Sequence, residues 1–477
     1  MSIARDRPVG REGRHFCRQQ TALDKSVDNL EAIGNHITAD DGFKVGPGGL
    51  TFSPVHISYK RDESQEGRDP IGTTAGARGP HAWNFDCAAR PHGTAGTVPD
   101  IDPILESMLE KTTSPSWEIT AITDDKTFTV DITTGAYDAP EAGDVVGIPI
   151  SLGSSQVEAA VIASVTTVSE VTTIVLEHDL SFTPDAETVI ALSVQYFPRN
   201  DVDTDKFFTL KEMDGGVDQS YSGCILDALT LAASRGASAQ LSLSGFARHH
   251  FGFGQTTLAA ELDDAAGTTS MTLTDYSTGW GIDSDNPVFV EIEDEIIKIT
   301  AINSTTSVAT IVREQKDTSA ATHADGTAVV FWDVEPSYNG VPISGVINTC
   351  QVEGTYYGAD EMSFSTVEGV EPHENMSDEE LQAFIYTKKR EASLAITLTG
   401  YKSDFGFLGV AVHRDAYRFV LQYGNQQGKT CVIHCKSVEI NPVVLPADQT
   451  GKISIPISSD KILDTGDNDN GWSGAII

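Results

Sequence analysis

The sequence predicts a mainly β protein: two tandem β-sandwich or barrel domains, each with a flanking helix, plus two small inserted all-β modules. Two observations predict it. A meander is written twice, first across residues 205–245 and again across residues 418–458. Each copy runs short strand, polar turn, long strand, tight turn, and a last strand alternating apolar and polar residues, as a half-buried sheet requires. Secondly, residues 116–196 and 254–333 form two blocks rich in Thr, Val, Ile and Asp with strand periodicity, and they resemble each other. A repeat of this size outweighs any short motif in deciding architecture.

The elements follow in chain order. Residues 1–35 form an N-terminal arm, whose first twenty residues carry Arg5, Arg7, Arg11, Arg14 and Arg18 against Asp6 and Glu12. It reads as a clamp on a neighbouring subunit or as a tail without fixed structure. The first domain is discontinuous, 36–115 plus 197–253. It opens with a strand at 51–59, a polar loop at 60–79, and a strand at 80–90 with Trp83, Phe85 and Cys87 on one face. A helix is expected over 102–112, with Asp102 at the N-cap, Pro103 in the first turn and Ile104, Leu105, Met108 and Leu109 as its apolar stripe. The first module, 116–196, interrupts the domain where an insertion costs little. Strands at 207–210, 221–233 and 239–244 then complete the copy.

The second module is 254–333. Its segments 271–273, 292–299 and 328–332 match 128–130, 157–164 and 188–192 of the first. The second domain, 334–462, repeats the pattern: a strand at 343–351, a long loop at 354–389 with a helix begun by the capping box Ser377-Asp378-Glu379-Glu380, and a strand at 391–401. A helix within 405–417 follows, then strands at 418–421, 431–440 and 452–458. Residues 463–477 read as an acidic, mobile C-terminal tail.

A chain of 477 residues exceeds one core. Its 69 acidic against 32 basic residues give a net charge of −37. That surface repels nucleic-acid phosphates and opposes non-specific adhesion. The first module carries 13 Asp/Glu against one Lys, and the second 14 against three Lys/Arg, so most of the charge sits on the inserts. The six cysteines are scattered without a CxxC pair and read as buried free thiols of a reducing cytoplasm. The sequence shows neither a signal-peptide core nor an apolar run long enough for a membrane helix.

No motif carries catalysis, and an enzyme is not expected. His413-Arg414-Asp415 and Asp404-Phe405-Gly406 spell kinase triplets in the wrong order, and the magnesium-binding Asn is replaced by Val420. His373-Glu374 lacks the second histidine of a zinc helix. His249 and His250 face opposite sides of a strand. The 467–471 stretch lacks the bidentate Glu of a calcium loop. Neither cofactor nor metal is expected.

The duplicated meander, Gly72-Thr73-Thr74-Ala75-Gly76, the run Thr97-Val98-Pro99-Asp100-Ile101-Asp102-Pro103-Ile104-Leu105, and Phe207-Phe208-Thr209-Leu210 followed by Tyr221-Ser222-Gly223-Cys224 resemble tail tube proteins of long-tailed bacteriophages. Residues 290–299 and 318–326 resemble small β modules that decorate phage tail proteins. The resemblance implies a structural virion protein made in the bacterial cytoplasm. Tube domains join their sheets side by side around a channel, and rings stack through a long loop. A duplicated subunit then forms a trimeric, pseudo-hexameric ring. Its partners are further copies of itself, the tape measure protein in the lumen, and the terminator and distal tail proteins. The genome passes through without specific binding, and no membrane is involved. The candidate inter-ring loop holds Lys60, Arg61, Asp62, Glu63, Glu66 and Arg68, with the 354–389 loop as its counterpart. The candidate channel wall is Gln240, Ser242, Ser244, Ser454 and Ser458. The inserts are expected to project outward. Because they sit at non-equivalent places, a distal tail or hub ring at the tail tip, or a carbohydrate-binding host-recognition protein, stands as the alternative.

Overall fold

In the computed structural model the residues described are 14–20, 39–47, 49–53, 56–60, 73–78, 81–132, 139–168, 171–199, 206–214, 217–253, 256–274, 288–303, 305–332, 336–373, 383–386, 389–410, 416–443, 452–459, 462 and 471–477. The fold is mainly β. A 17-stranded sheet runs through both duplicated regions. One stretch of it comprises β1 (Thr51–Ser53), β2 (His81–Ala88), β3 (Val217–Ser234), β4 (Gln240–Ala247), β5 (Thr355–Val367), β6 (Glu391–Tyr401) and β7 (Lys452–Ser459). These pair antiparallel in the spatial order β1-β2-β4-β3-β5-β6-β7.

Alternation decides which side is buried. On β2, Trp83, Phe85 and Cys87 point inward, and on β7, Ile453, Ile455 and Ile457 do the same. Their core is closed by the opposite layer of the same sheet. There Asn348–Val352, Ala416–Tyr423, Cys431–Glu439, Trp472–Ile476, Ser193–Pro198 and Leu109–Ser114 pair in succession. Phe364 of β5 meets Trp472 edge-on across the core, ring centroids 4.8 Å apart.

The two regions share the order of three strands. The first has the order β1-β2-β4-β3. In the second, β5-β6-β7 matches β1-β2-β4, while Cys431–Glu439 pairs with Ala416–Tyr423 and Trp472–Ile476 in the opposite layer. The backbone just beyond Glu439 turns back to β7, where Asn441 N donates to Ser458 O over 2.9 Å. Both regions also carry an irregularity. Between Phe208 and Leu210 the register slips from Cys224 to Tyr221, and between Tyr417 and Phe419 it slips from Val438 to Cys435. Each hairpin thus carries a bulge near the start of its first strand.

Several local expectations are corrected. The helix expected over 102–112 is one turn, Asp102–Leu105, and Leu109–Ser114 is a strand. Pairing with Ser193–Pro198 overrides helical periodicity there. Asp102 does not cap the turn. Its carboxylate accepts from Lys111 Nζ at 2.6 Å and Tyr196 OH at 2.7 Å. The helical stretch expected within 405–417 runs from Lys402 to Val410, and Ala416 already starts a strand. The strand expected at 343–351 begins at Asn348. Most of the 354–389 loop is regular structure: β5, then the hairpin Val370–His373 with Ala383–Tyr386. The capping box at 377–380 lies outside the described residues.

The termini also differ from expectation. Within the N-terminal arm, Arg14–Gln19 is a strand paired with Phe208–Asp214, and it buries Phe16 and Cys17. The acidic tail ends in Trp472–Ile476, a fully buried strand between Cys431–Glu439 and Ser193–Pro198.

The inserts are two versions of one closed barrel. In the first, Glu118–Ile122, Thr127–Asp131, Val171–Leu176, Val157–Val168 and Val145–Pro149 pair in turn. Bridges from Val189 to Glu118 and from Ala191 to Gly147 close the ring. In the second, Ser270–Thr272, Val308–Gln315, Glu295–Asn303, Val288–Ile292, Ala328–Phe331 and Thr256–Thr257 follow the same circuit, closed by a Leu258–Leu273 bridge.

Candidate functional site

All five sequence-selected wall residues fall on the outward face of the β1–β7 sheet. Gln240, Ser242, Ser454 and Ser458 are exposed and Ser244 half-buried. Cross-strand register places the two copies' residues in shared rows. One row reads Ala88, Gln240, Ala232, Ser363, Ala395, Ser458. The next reads Asp86, Ser242, Thr230, Ser365, Ser393. Ser454 stands opposite Thr399. The period-two geometry of strands keeps every member of a row on one face.

Small and hydroxyl-bearing side chains dominate this face. Thr230 and Ser365 share a hydrogen bond of 2.9 Å across the junction of the copies. Thr399 Oγ1 donates to Asp360 Oδ2 at 2.5 Å, and Ser454 Oγ donates to the same oxygen at 3.2 Å. These four hydroxyls are thus tied to neighbours on the face. A shallow open groove of about 350 Å³ crosses it between Gln240 and Ser458, floored by Ala232, Ser363 and Ala395. Charges on this face include the acids Asp86, Asp360, Glu361 and Glu391, with Lys452 at the end of β7. Nothing here resembles a catalytic constellation: the hydroxyls lie in rows without an adjacent histidine base.

Sequence reasoning missed the β5 and β6 contribution, including Ser363, Ser365 and Ala395. The sequence reading makes 354–389 a loop, yet Met362 and Phe364 alternate with Ser363 and Ser365 there. That alternation was the available signal.

Of the candidate inter-ring loop, Lys60 ends the strand His56–Lys60, which pairs with Thr73–Arg78 from His56 opposite Arg78 to Lys60 opposite Thr73. Arg61, Asp62, Glu63, Glu66 and Arg68 lie outside the described residues. The hairpin formed with Thr73–Arg78 leaves the sheet between β1 and β2, and the Val370–Tyr386 hairpin leaves it between β5 and β6. The second of these packs onto the first copy: Phe384 stacks near Phe207 at 6.1 Å, beside Ile225 and Val370.

The first insert does not simply project. Val145, Val157, Ala159, Val161 and Ala191 pack on Val420, Val432, Ala475 and Ile477 of the body. Gln422 locks the contact: its Oε1 accepts from Ala159 N at 2.9 Å and its Nε2 donates to Val157 O at 3.1 Å. Tyr356 OH donates to Glu158, and Glu177 lies 3.4 Å from His434 and 3.7 Å from Arg418. Burial raises the Glu177 carboxyl, but hydrogen bonding to His434 and the His434 and Arg418 charges outweigh it and hold the group below its ordinary value.

The described residues contain no group of His, Cys, Asp and Glu arranged to hold a metal ion, and no helix long and apolar enough to cross a membrane. No protein-family model matches the chain, and no curated protein matches it in sequence.

Proposed function

We propose that this chain is the structural subunit of a phage-type tail tube, in which three copies close a pseudo-hexameric ring and stacked rings form the conduit for the genome. One observation carries the reading. Within a single chain, β3 of the first copy is zipped to β5 of the second, from Ala228 opposite Val367 to Ser234 opposite Glu361. That junction joins the last strand of one unit to the first strand of the next. The same junction repeated between chains sets the second copy's far edge against the neighbour's β1. A head-to-tail joint of this kind closes into a ring or runs on as a filament, and closure leaves no sheet edge exposed.

The hydroxyl and alanine rows then face the lumen. A wall with acids and few cations releases no counter-ions on contact with DNA, so the duplex slides and does not bind. The hairpins leaving the sheet at equivalent places serve as the contacts between rings. The tape measure protein occupies the lumen during assembly, and the terminator and distal tail proteins cap the ends, placing the chain in the tail of the virion.

Negative-stain microscopy of the purified chain, taken from dilute to concentrated solution, tests this. Annuli or hollow rods with threefold symmetry are expected. Annuli that never stack would favour the ring at the tail tip. Compact single particles at every concentration would remove the tube reading.

A further inference from the structure

The two inserts are one barrel with two different outer faces. In the first, Val146 and Ile148 point into the barrel and Val145 points out, onto the body. In the second, Val290 and Ile292 occupy the same inward places, which makes Phe289 the counterpart of Val145. The docking face of the first insert therefore has an equivalent on the second. Phe289 stands opposite Lys298, and Lys298 opposite Val312. Trp332 meets Phe289 edge-on at 6.0 Å, and Lys316 Nζ lies over both rings, 5.0 and 5.2 Å from their centroids.

This face is open and chemically distinct from the rest of its module. Val312 is 46% exposed, Phe289, Lys298 and Trp332 are half-buried, and Lys316 is exposed. The module has 14 acids and three bases, Lys298, Arg313 and Lys316. Arg313 is sealed inside, forked onto Glu295 at 2.9 and 2.5 Å. Both remaining cations of an acidic module thus converge on one apolar, aromatic face.

We infer that this face is an interaction surface for the acidic body of a second copy of this chain. Two observations select that occupant. The equivalent face of the first insert already docks on a β layer of this same polypeptide. The cations also complement the chain outside the inserts, which carries a net charge of −14, and such complementarity fixes partner and orientation at a contact. The inference rests on the self-assembly proposed above and adds a contact outside the ring junction.

The test mixes ¹⁴N- and ¹⁵N-labelled full-length chains under assembling conditions and applies a zero-length carbodiimide cross-linker. Mass spectrometry is expected to find Lys298 or Lys316 joined to Asp or Glu of the oppositely labelled chain. The double variant Lys298→Glu, Lys316→Glu should lower the sedimenting assembled fraction about tenfold, with Lys298→Arg, Lys316→Arg restoring it. Cross-links confined to one chain, no links at these lysines, or glycan binding at this face without interchain links would each overturn the inference. Interchain links without annuli in micrographs would keep this surface and remove the ring. Annuli with unlinked lysines would do the reverse.

Discussion

Gln240 of the first copy and Ser458 of the second stand in one cross-strand row, linked through Ala232, Ser363 and Ala395. Both are exposed, so charge can be added there without disturbing the core. Exposed substitutions of this kind alter stability by about 0.5 kcal/mol or less. Gln240→Lys with Ser458→Lys should therefore fold normally. Assembled particles of the variant should acquire salt-sensitive affinity for labelled duplex DNA in fluorescence anisotropy, while the parent shows none at 0.15 M salt, a roughly physiological ionic strength. Binding by the parent would contradict a passive wall.

The last strand is structural. Trp472, Ile476 and Ile477 are buried, and the strand joins two others. Trp472→Ala should cost about 3–5 kcal/mol, the usual range for emptying a core aromatic site. Removing residues 471–477 should abolish cooperative melting in circular dichroism. A truncated chain with unchanged melting would show that the strand is dispensable.

Acid should loosen the first insert. His178 abuts Gly354 of the body, where an added Cβ would lie 2.7 Å from the histidine Cβ. Burial pushes the His178 imidazole down to about 4, against a partial opposing pull from Glu177. The ordinary histidine value is about 6.5, so between these limits the unfolded chain binds a proton that the folded chain refuses. Stability is then full above pH of about 6.5 and falls, by at most about 3 kcal/mol, as pH drops toward 4. Chemical denaturation across this range should show the loss, and His178→Gln should flatten it.

Salt should act in the opposite sense. A net charge of −37 repels itself in the compact state. Raising salt from about 0.1 M to 1 M shortens the screening length from about 10 Å to about 3 Å. The melting temperature should rise steadily across that range in scanning calorimetry. Exchanging exposed acids of the inserts for Asn and Gln should reduce the slope. A melting temperature that falls with added sodium chloride would refute a charge-limited fold.

Part of this architecture was legible in the residues alone. The strand read at 391–401 is Glu391–Tyr401, and the one read at 452–458 is Lys452–Ser459, because apolar and polar residues alternate without interruption there. Likeness between the inserts was visible at 128–130 and 271–273, where Phe128, Val130, Met271 and Leu273 face inward in both barrels, while the match of 188–192 with 328–332 is one residue out, since Ile190 corresponds to Val329. Side-chain periodicity is local, so it is written in consecutive residues.

The tertiary structure alone decided what pairs with what. Nothing near Trp472 indicates that its strand lies between Cys431–Glu439 on one side and Ser193–Pro198, at the stem of an insert, on the other. Leu109 lies on a helical stripe by sequence, yet pairing with Pro198 makes it strand. Ser363 joins the hydroxyl-bearing face only because β5 pairs with β3. A strand's backbone groups must be satisfied by another segment, and that segment can lie anywhere in the chain.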